Sequence, residues 1–188
     1  MDFSELLEKR RSIRDYEDKE VPLELIEEIL EESVKAPNGG NRQPWSFVII
    51  NNRECIKKVS DVSKRAILDD INKDPDNYMK QYKAGLKNEK FNVFYNAPAL
   101  ILILGQPDAA STREDCSLLA CYLMLSAASK GLGTCWVALG GNIKDQQFRE
   151  EIGIPDRHEI IAPIILGYPK NIPPMRERRA PEILKIIS

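Results

Sequence analysis

Three guanidiniums and a hydroxyl fall within five residues at Arg10-Arg11-Ser12-Ile13-Arg14, the most compact anion-seeking stretch of the chain. A guanidinium fork matches phosphate bidentately, and each charge-assisted hydrogen bond contributes about 1.5–3 kcal/mol. One reading is a site for a phosphate-bearing small molecule. The other is a solvated basic helix end whose cations complement the helix dipole. A second stretch, Pro37-Asn38-Gly39-Gly40-Asn41-Arg42-Gln43-Pro44, is dense in residues that take unusual backbone angles and expose amides. At Gly140-Gly141-Asn142 a ligand can approach the backbone closely. Arg176, Arg178 and Arg179 form another basic cluster in a proline-rich tail.

The elements that must carry these residues follow from periodicity. Asp2 and Glu5 have the spacing of a capping box, and Phe3, Leu6, Leu7 and Arg10 keep a helical period, so a first helix delivers the arginines at its C-terminal end. Pro22 opens a second helix with the stripe Leu25, Ile26, Ile29, Leu30 and Val34, and Pro37 ends it. Residues 45–50, 99–104, 134–139 and 159–167 read as strands, and 53–68, 115–130 and 144–152 as helices. Pro163 removes a ladder donor, which places the fourth strand at an edge or gives it a bulge. The helix over 115–130 is apolar on all sides and belongs in the centre, with Gly131 as its stop. Cys116 and Cys121 on that helix, like Trp45 and Trp136 in strands, read as core. From 69 to 90 the chain is polar and aperiodic, a mobile excursion able to cover a cleft. Strands alternating with helices make an α/β or α+β pattern.

At 188 residues and 43% hydrophobic, the chain suits one domain over 1–188. With 27 basic against 29 acidic residues the net charge is -2, so no global field draws nucleic acid or an anionic membrane, and any anion site is local. No apolar run reaches the roughly 18 residues of a membrane span, and the charged N-terminal segment lacks a signal-peptide core. The expectation is a cytoplasmic protein with no nucleic acid and no membrane among its partners. Cys55, Cys116, Cys121 and Cys135 are scattered, and His158 is the single histidine, which disfavours a metal site, a disulfide framework and triad chemistry. No GxGxxG follows a strand, since Gly131-Leu132-Gly133 ends a helix, so a Rossmann site is disfavoured.

Four separated features then coincide in order: the Arg10–Arg14 cluster, Ala36-Pro37-Asn38-Gly39-Gly40-Asn41-Arg42-Gln43-Pro44-Trp45, Gly131-Leu132-Gly133-Thr134-Cys135-Trp136, and Gly167-Tyr168-Pro169 before the terminal arginines. Together they resemble the nitroreductase family of flavin enzymes. The resemblance implies an α+β, nitroreductase-like fold with a central mixed, largely antiparallel sheet flanked by helices. It also implies an intertwined homodimer with FMN at two interfacial sites and a tail, 169–188, that crosses the partner subunit. Carried over by position, Arg10, Ser12 and Arg14 would hold the FMN phosphate and ribityl region, with Arg11 alongside and Arg178 and Arg176 returning from the tail. Pro37, Asn38, Gly39 and Asn41 would reach the flavin from the partner, while Gln43 would either contact it or brace the turn. Ala138, Leu139, Gly140 and Gly141 would lie against the isoalloxazine, an amide near Gly140 bonding its reactive nitrogen.

The implied activity passes hydride from NADH or NADPH through FMN to a small-molecule electron acceptor such as a nitroaromatic or quinone, with ping-pong turnover and no catalytic side chain. The alternatives are a specialised branch, in reductive dehalogenation or flavin remodelling, and a flavin-binding redox sensor or partner-binding protein with little turnover. Two departures from the family pattern stand out. Asn38-Gly39-Gly40 replaces the serines common there, so amides take over from hydroxyls, and Cys121-Tyr122 replaces a Gln-Asn pair on the central helix.

Overall fold

The computed structural model describes residues 2–74, 76–107 and 110–187. Four strands form one sheet in the order β1 (Trp45–Ile50), β2 (Ala99–Gly105), β4 (Glu159–Gly167), β3 (Gly133–Trp136), and every neighbouring pair is antiparallel. The parallel component is a single bridge, Ser12 to Thr134, which lays the arginine segment along the free edge of β3.

β2 explains how the sheet holds its helices. Its residues are apolar at every position before Gly105, so both faces bury, as in a strand covered on two sides. Leu100, Leu102 and Leu104 pack on one face with Ile56, Val59 and Ile67 of α3 (Arg53–Lys73). Ile101 and Ile103 pack on the other with Ile26 and Ile29 of α2 (Leu23–Ser33) and Leu119 and Leu123 of α5 (Thr112–Ser129). Each such side chain, fully removed from water, contributes about 1.5–3 kcal/mol. The result is three layers, helices on both sides of an antiparallel sheet, with no described helix long and apolar enough to cross a membrane.

Several boundaries differ from the sequence expectation, each for a physical reason. β4 sits in the middle of the sheet, not at an edge, and Pro163 is tolerated there. The Pro163 carbonyl accepts the Val137 amide at 2.8 Å, so its missing donor points the same way, past Trp136 where β3 has ended. The alternative of a bulge holds, because the register slips between Ile103–Ala162 and Leu104–Ile160 and leaves Ile161 as the extra residue. The third strand stops at Trp136 instead of Leu139, and Ala138–Gly141 form a 3-10 turn. α5 is not wholly enclosed. Leu118 and Tyr122 are 43% and 41% exposed, and Cys121, expected in the core, is exposed beside them, whereas Cys116 is fully buried.

The stretch from 69 to 90 is not structureless. α3 continues to Lys73, a 3-10 turn covers Tyr78–Tyr82, and α4 (Lys83–Lys87) is pinned by the buried Leu86. α6 (Gln146–Glu151) is capped by Asp145, which accepts the Phe148 amide. α1 (Phe3–Lys9) is capped as its spacing predicts, Asp2 accepting the Glu5 amide at 2.9 Å, yet it buries no residue and leaves Phe3 66% and Leu7 52% exposed.

Two outcomes follow from these contacts. A Cβ on Gly133 would stand 2.5 Å from Ile13 Cγ1, so Gly133→Ala should cost about 1–3 kcal/mol in urea unfolding, and an unchanged midpoint would show that the edge is not tightly packed. Glu32 on α2 accepts from Ser126 of α5 and from Lys130 just past its end, and these bonds, Ser126 first, hold its carboxyl below the usual range. Their stabilisation is complete above that range and fades as pH falls through the lowered value. Ser126→Ala should therefore shrink the loss of stability between about pH 6 and about pH 3 seen in thermal melts.

Candidate functional site

The arginine cluster is positioned by alternation along an edge. Arg10 closes α1 by donating its amide to Leu6, and beyond it the chain runs extended, Ile13 giving its amide to the Thr134 carbonyl at 2.9 Å. In an extended segment successive side chains point oppositely. Ile13 is thus buried over Gly133, and Arg14 is turned outward. The tail departs beside the same segment. Tyr16 bridges Pro169, the Glu17 amide donates to Tyr168, and the Lys170 amide donates to Asp15, so residues 173–178 fall back over the arginines.

Arg10, Arg11, Ser12 and Arg14 line a cavity of about 300 Å³ whose opposite wall is Pro173, Pro174, Met175, Arg176 and Arg178. Five guanidiniums from the two ends of the fold share it, with no carboxylate in its lining, and among the described residues none of the five is ion-paired. Arg11 gives one nitrogen to the Arg10 carbonyl at 2.7 Å but keeps its Nε buried without a partner. Arg14 lies over the Tyr95 ring, 5.7 Å from its centroid. Beneath the cluster the ionisable groups stay neutral. Burial pushes the Cys135 thiol up, against the pull of Arg14, Ser12 and Arg10, and burial likewise raises the Tyr16 hydroxyl, which donates to the Ile13 carbonyl. Neither of these two groups supplies a negative charge, and like charges gathered in a lining without a carboxylate favour an anionic ligand.

The Ala138–Gly141 turn lines a separate cavity of about 500 Å³. Gly140 is a close-approach glycine, since a Cβ there would stand 2.1 Å from the Phe94 ring. Its carbonyl accepts the Ser63 hydroxyl, and its own amide donates to the Val137 carbonyl at 2.9 Å. That amide is committed inside the turn, so any ligand bond expected near Gly140 falls to a neighbouring amide. Ala138 and Gly141 face this cavity, while Leu139 packs against the core. The opposite wall comes from Asn77, Tyr78 and Met79, in the stretch whose polarity alone marked it as a possible cover. Trp136, expected as core, is half-buried and also lines this cavity. Asp70, on the same wall, accepts from Asn142 and Lys144, and the Lys144 bond, the largest influence, holds its carboxyl below the usual range.

The loop from Pro37 to Gln43 stands apart. Pro37, Asn38, Gly39, Asn41 and Gln43 line neither cavity, so within one chain they are not brought to the arginines. Gly40, Asn41 and Gln43 have φ of 59°, 54° and 48°, left-handed conformations that cost free energy at the two residues that are not glycine. The loop is held from behind. Asp115, buried at the start of α5, accepts the Gly39 amide at 3.0 Å on one oxygen and the Ser111 hydroxyl at 2.8 Å on the other. Asn38 accepts the Gln43 amide, and the Gln43 side chain donates to Asn41, the turn-bracing role. Asp115 and Ser111 escape sequence reasoning because a helix-start acid is commonplace.

Known proteins resemble this chain over most of its length. The nitroreductase family model matches residues 7–168. A protein of Archaeoglobus fulgidus with the provisional name NADH dehydrogenase/NAD(P)H nitroreductase is 30% identical over 170 residues, covering 86% of this chain and 82% of that one. Iodotyrosine deiodinase of Thermotoga neapolitana is 27% identical over 186 residues, covering 93% and 92%. A nitroreductase of Bacteroides fragilis, solved with bound FMN, has the same fold with a TM-score of 0.82 at 23% identity, over 98% and 97% of the two chains. The match runs from α1 through every strand of the sheet, and on it the chain belongs to the nitroreductase family.

Proposed function

We propose that the chain is an FMN-dependent NAD(P)H oxidoreductase that works as a homodimer and reduces an electron-poor small molecule, a nitroaromatic or a quinone. The observation that carries this reading is the cavity of five guanidiniums without counter-ions, drawn from both ends of the fold. Its residues fit a phosphate monoester. The donors are forked and charged, one buried Nε lacks a partner, and Ser12 adds a hydroxyl. Arg10, Ser12, Arg14 and Arg178, with Arg11 and Arg176 beside them, would hold the phosphate. Amides around Ala138–Gly141 would face the ring. Bound there, FMN would supply two-electron chemistry, accepting hydride from NADH or NADPH and returning it to the acceptor in a ping-pong cycle. The chain's own part is to bind, orient and exclude water, and no side chain is needed as acid or nucleophile.

The homodimer reading is supported by surface that one chain leaves open. α1 buries nothing, Leu118 and Tyr122 stand out from α5, and Ile183, Leu184, Ile186 and Ile187 of the tail are exposed. So many large apolar side chains left in water are in keeping with an interface. A partner would let Pro37, Asn38, Gly39, Asn41 and Gln43 complete the site, and would be crossed by the tail 169–188. The four cysteines are free thiols, in keeping with work in a reducing cytoplasm. A second reading, reductive dehalogenation of a halogenated aromatic, is favoured by the deiodinase relative, which aligns over nearly all of both chains.

The purified protein should show a flavin spectrum, with FMN added if needed, that bleaches on anaerobic addition of NADH or NADPH. A spectrum that persists with both supports the low-turnover sensor, and no flavin uptake removes the proposal. Arg178→Ala should weaken FMN binding about ten-fold or more in fluorescence titration, since a charge-assisted bond is lost, and unchanged affinity would remove the tail from the site. Sedimentation should give twice the chain mass, and a monomer that still binds flavin would overturn the shared site.

A further inference from the structure

Tyr95 and Asn96 both have φ of 54°, two consecutive left-handed residues without a glycine. Such a pair persists only where its surroundings over-determine it. Here they do. The segment is tied to α3, with Ser60 accepting the Val93 amide and Lys64 donating to the Asn88 and Phe91 carbonyls, and Asn92 accepts the Phe94 amide. The strained turn sends two neighbouring rings to two different places. Phe94, fully buried, fills the space that a Cβ on Gly140 would need and so backs the Ala138–Gly141 turn. Tyr95 presents its ring to the Arg14 guanidinium.

Arg14 needs such a support. It is exposed, forms no ion pair among the described residues, and stands beside like charges that would push a free side chain toward solvent. A ring face attracts a guanidinium without neutralising it. We propose that Tyr95 is a positioning residue for Arg14, and that the Phe94–Tyr95 pair registers the arginine cavity against the Ala138–Gly141 turn. This rests on the reading of the arginine cavity as the FMN phosphate site and adds a determinant of selectivity for phosphorylated over unphosphorylated flavin.

The test compares FMN with riboflavin, which lacks the phosphate, by fluorescence titration of the full chain. Tyr95→Gly removes the ring while leaving a residue at ease with left-handed φ, and Tyr95→Phe keeps the ring face. Tyr95→Gly should weaken FMN binding about three-fold or more, as loss of a cation–π contact predicts, and change riboflavin binding less than two-fold. Tyr95→Phe should match the wild type. In an Arg14→Ala background Tyr95→Gly should cost nothing further, an interaction that a merely structural role would not produce. A wild-type preference for FMN that survives undiminished in Tyr95→Gly, or equal losses for both flavins, overturns the positioning role alone. A wild type that binds FMN no better than riboflavin overturns the phosphate site beneath it, and the role of Tyr95 with it.

Discussion

The seat of Ile13 over Gly133 is the contact from which the rest of the site is built. One amide, from Ile13 to the Thr134 carbonyl, and one side chain fitted into the space a Cβ would occupy fix an extended segment to the edge of β3. Every other residue of that segment then has its direction assigned by the pleat. The same edge, through Tyr16 and Pro169, sets where the tail begins its return. The Gly131-Leu132-Gly133 motif thus separates into two physical jobs. Gly131, at φ 78°, ends α5, and Gly133 makes room for Ile13.

Behind that edge, the sheet supplies rigidity by an unusual economy of strands. β2 and β4 are buried on both faces, so three layers are held by a four-stranded core. The charged cavity lies at the margin of this core, where guanidiniums keep partial contact with water and pay less desolvation than an interior site would exact. The arginines stand at the edge and the strained loops beyond it, and the ionic side chains that are buried, Lys64 and Asp115, belong to helices and not to the sheet.

Much of this was legible in the sequence because it depends on local period and on motif order. The ranges of β1 and β4 follow from short, largely apolar runs and the cap of α1 from the Asp2–Glu5 spacing. What was not legible depends on which neighbour a residue meets. Pro163 signals an interruption, but whether it marks an edge or a bulge depends on where β3 happens to end. The apolar girth of α5 signals burial on all sides, yet Leu118 and Tyr122 remain exposed, since hydrophobicity alone does not say which residues a neighbouring element covers. Residues 69–90 hid two short helices because Leu86 is their only buried anchor among a run of polar residues. Asp115 matters through its bond to Gly39 and Tyr95 through its contact with Arg14, each across the fold, and single contacts leave no period.

The two halves of the arginine cavity lie far apart along the chain, and this has a temporal consequence. During synthesis Arg10, Arg11 and Arg14 leave the ribosome first and wait through all four strands before Arg176 and Arg178 follow. Closing a loop of nearly full chain length is slow compared with local folding, and here the closing partners repel one another. On the reading proposed above, a bound phosphate would offset that repulsion, so that taking up the ligand and closing the two chain ends over one another would be linked events.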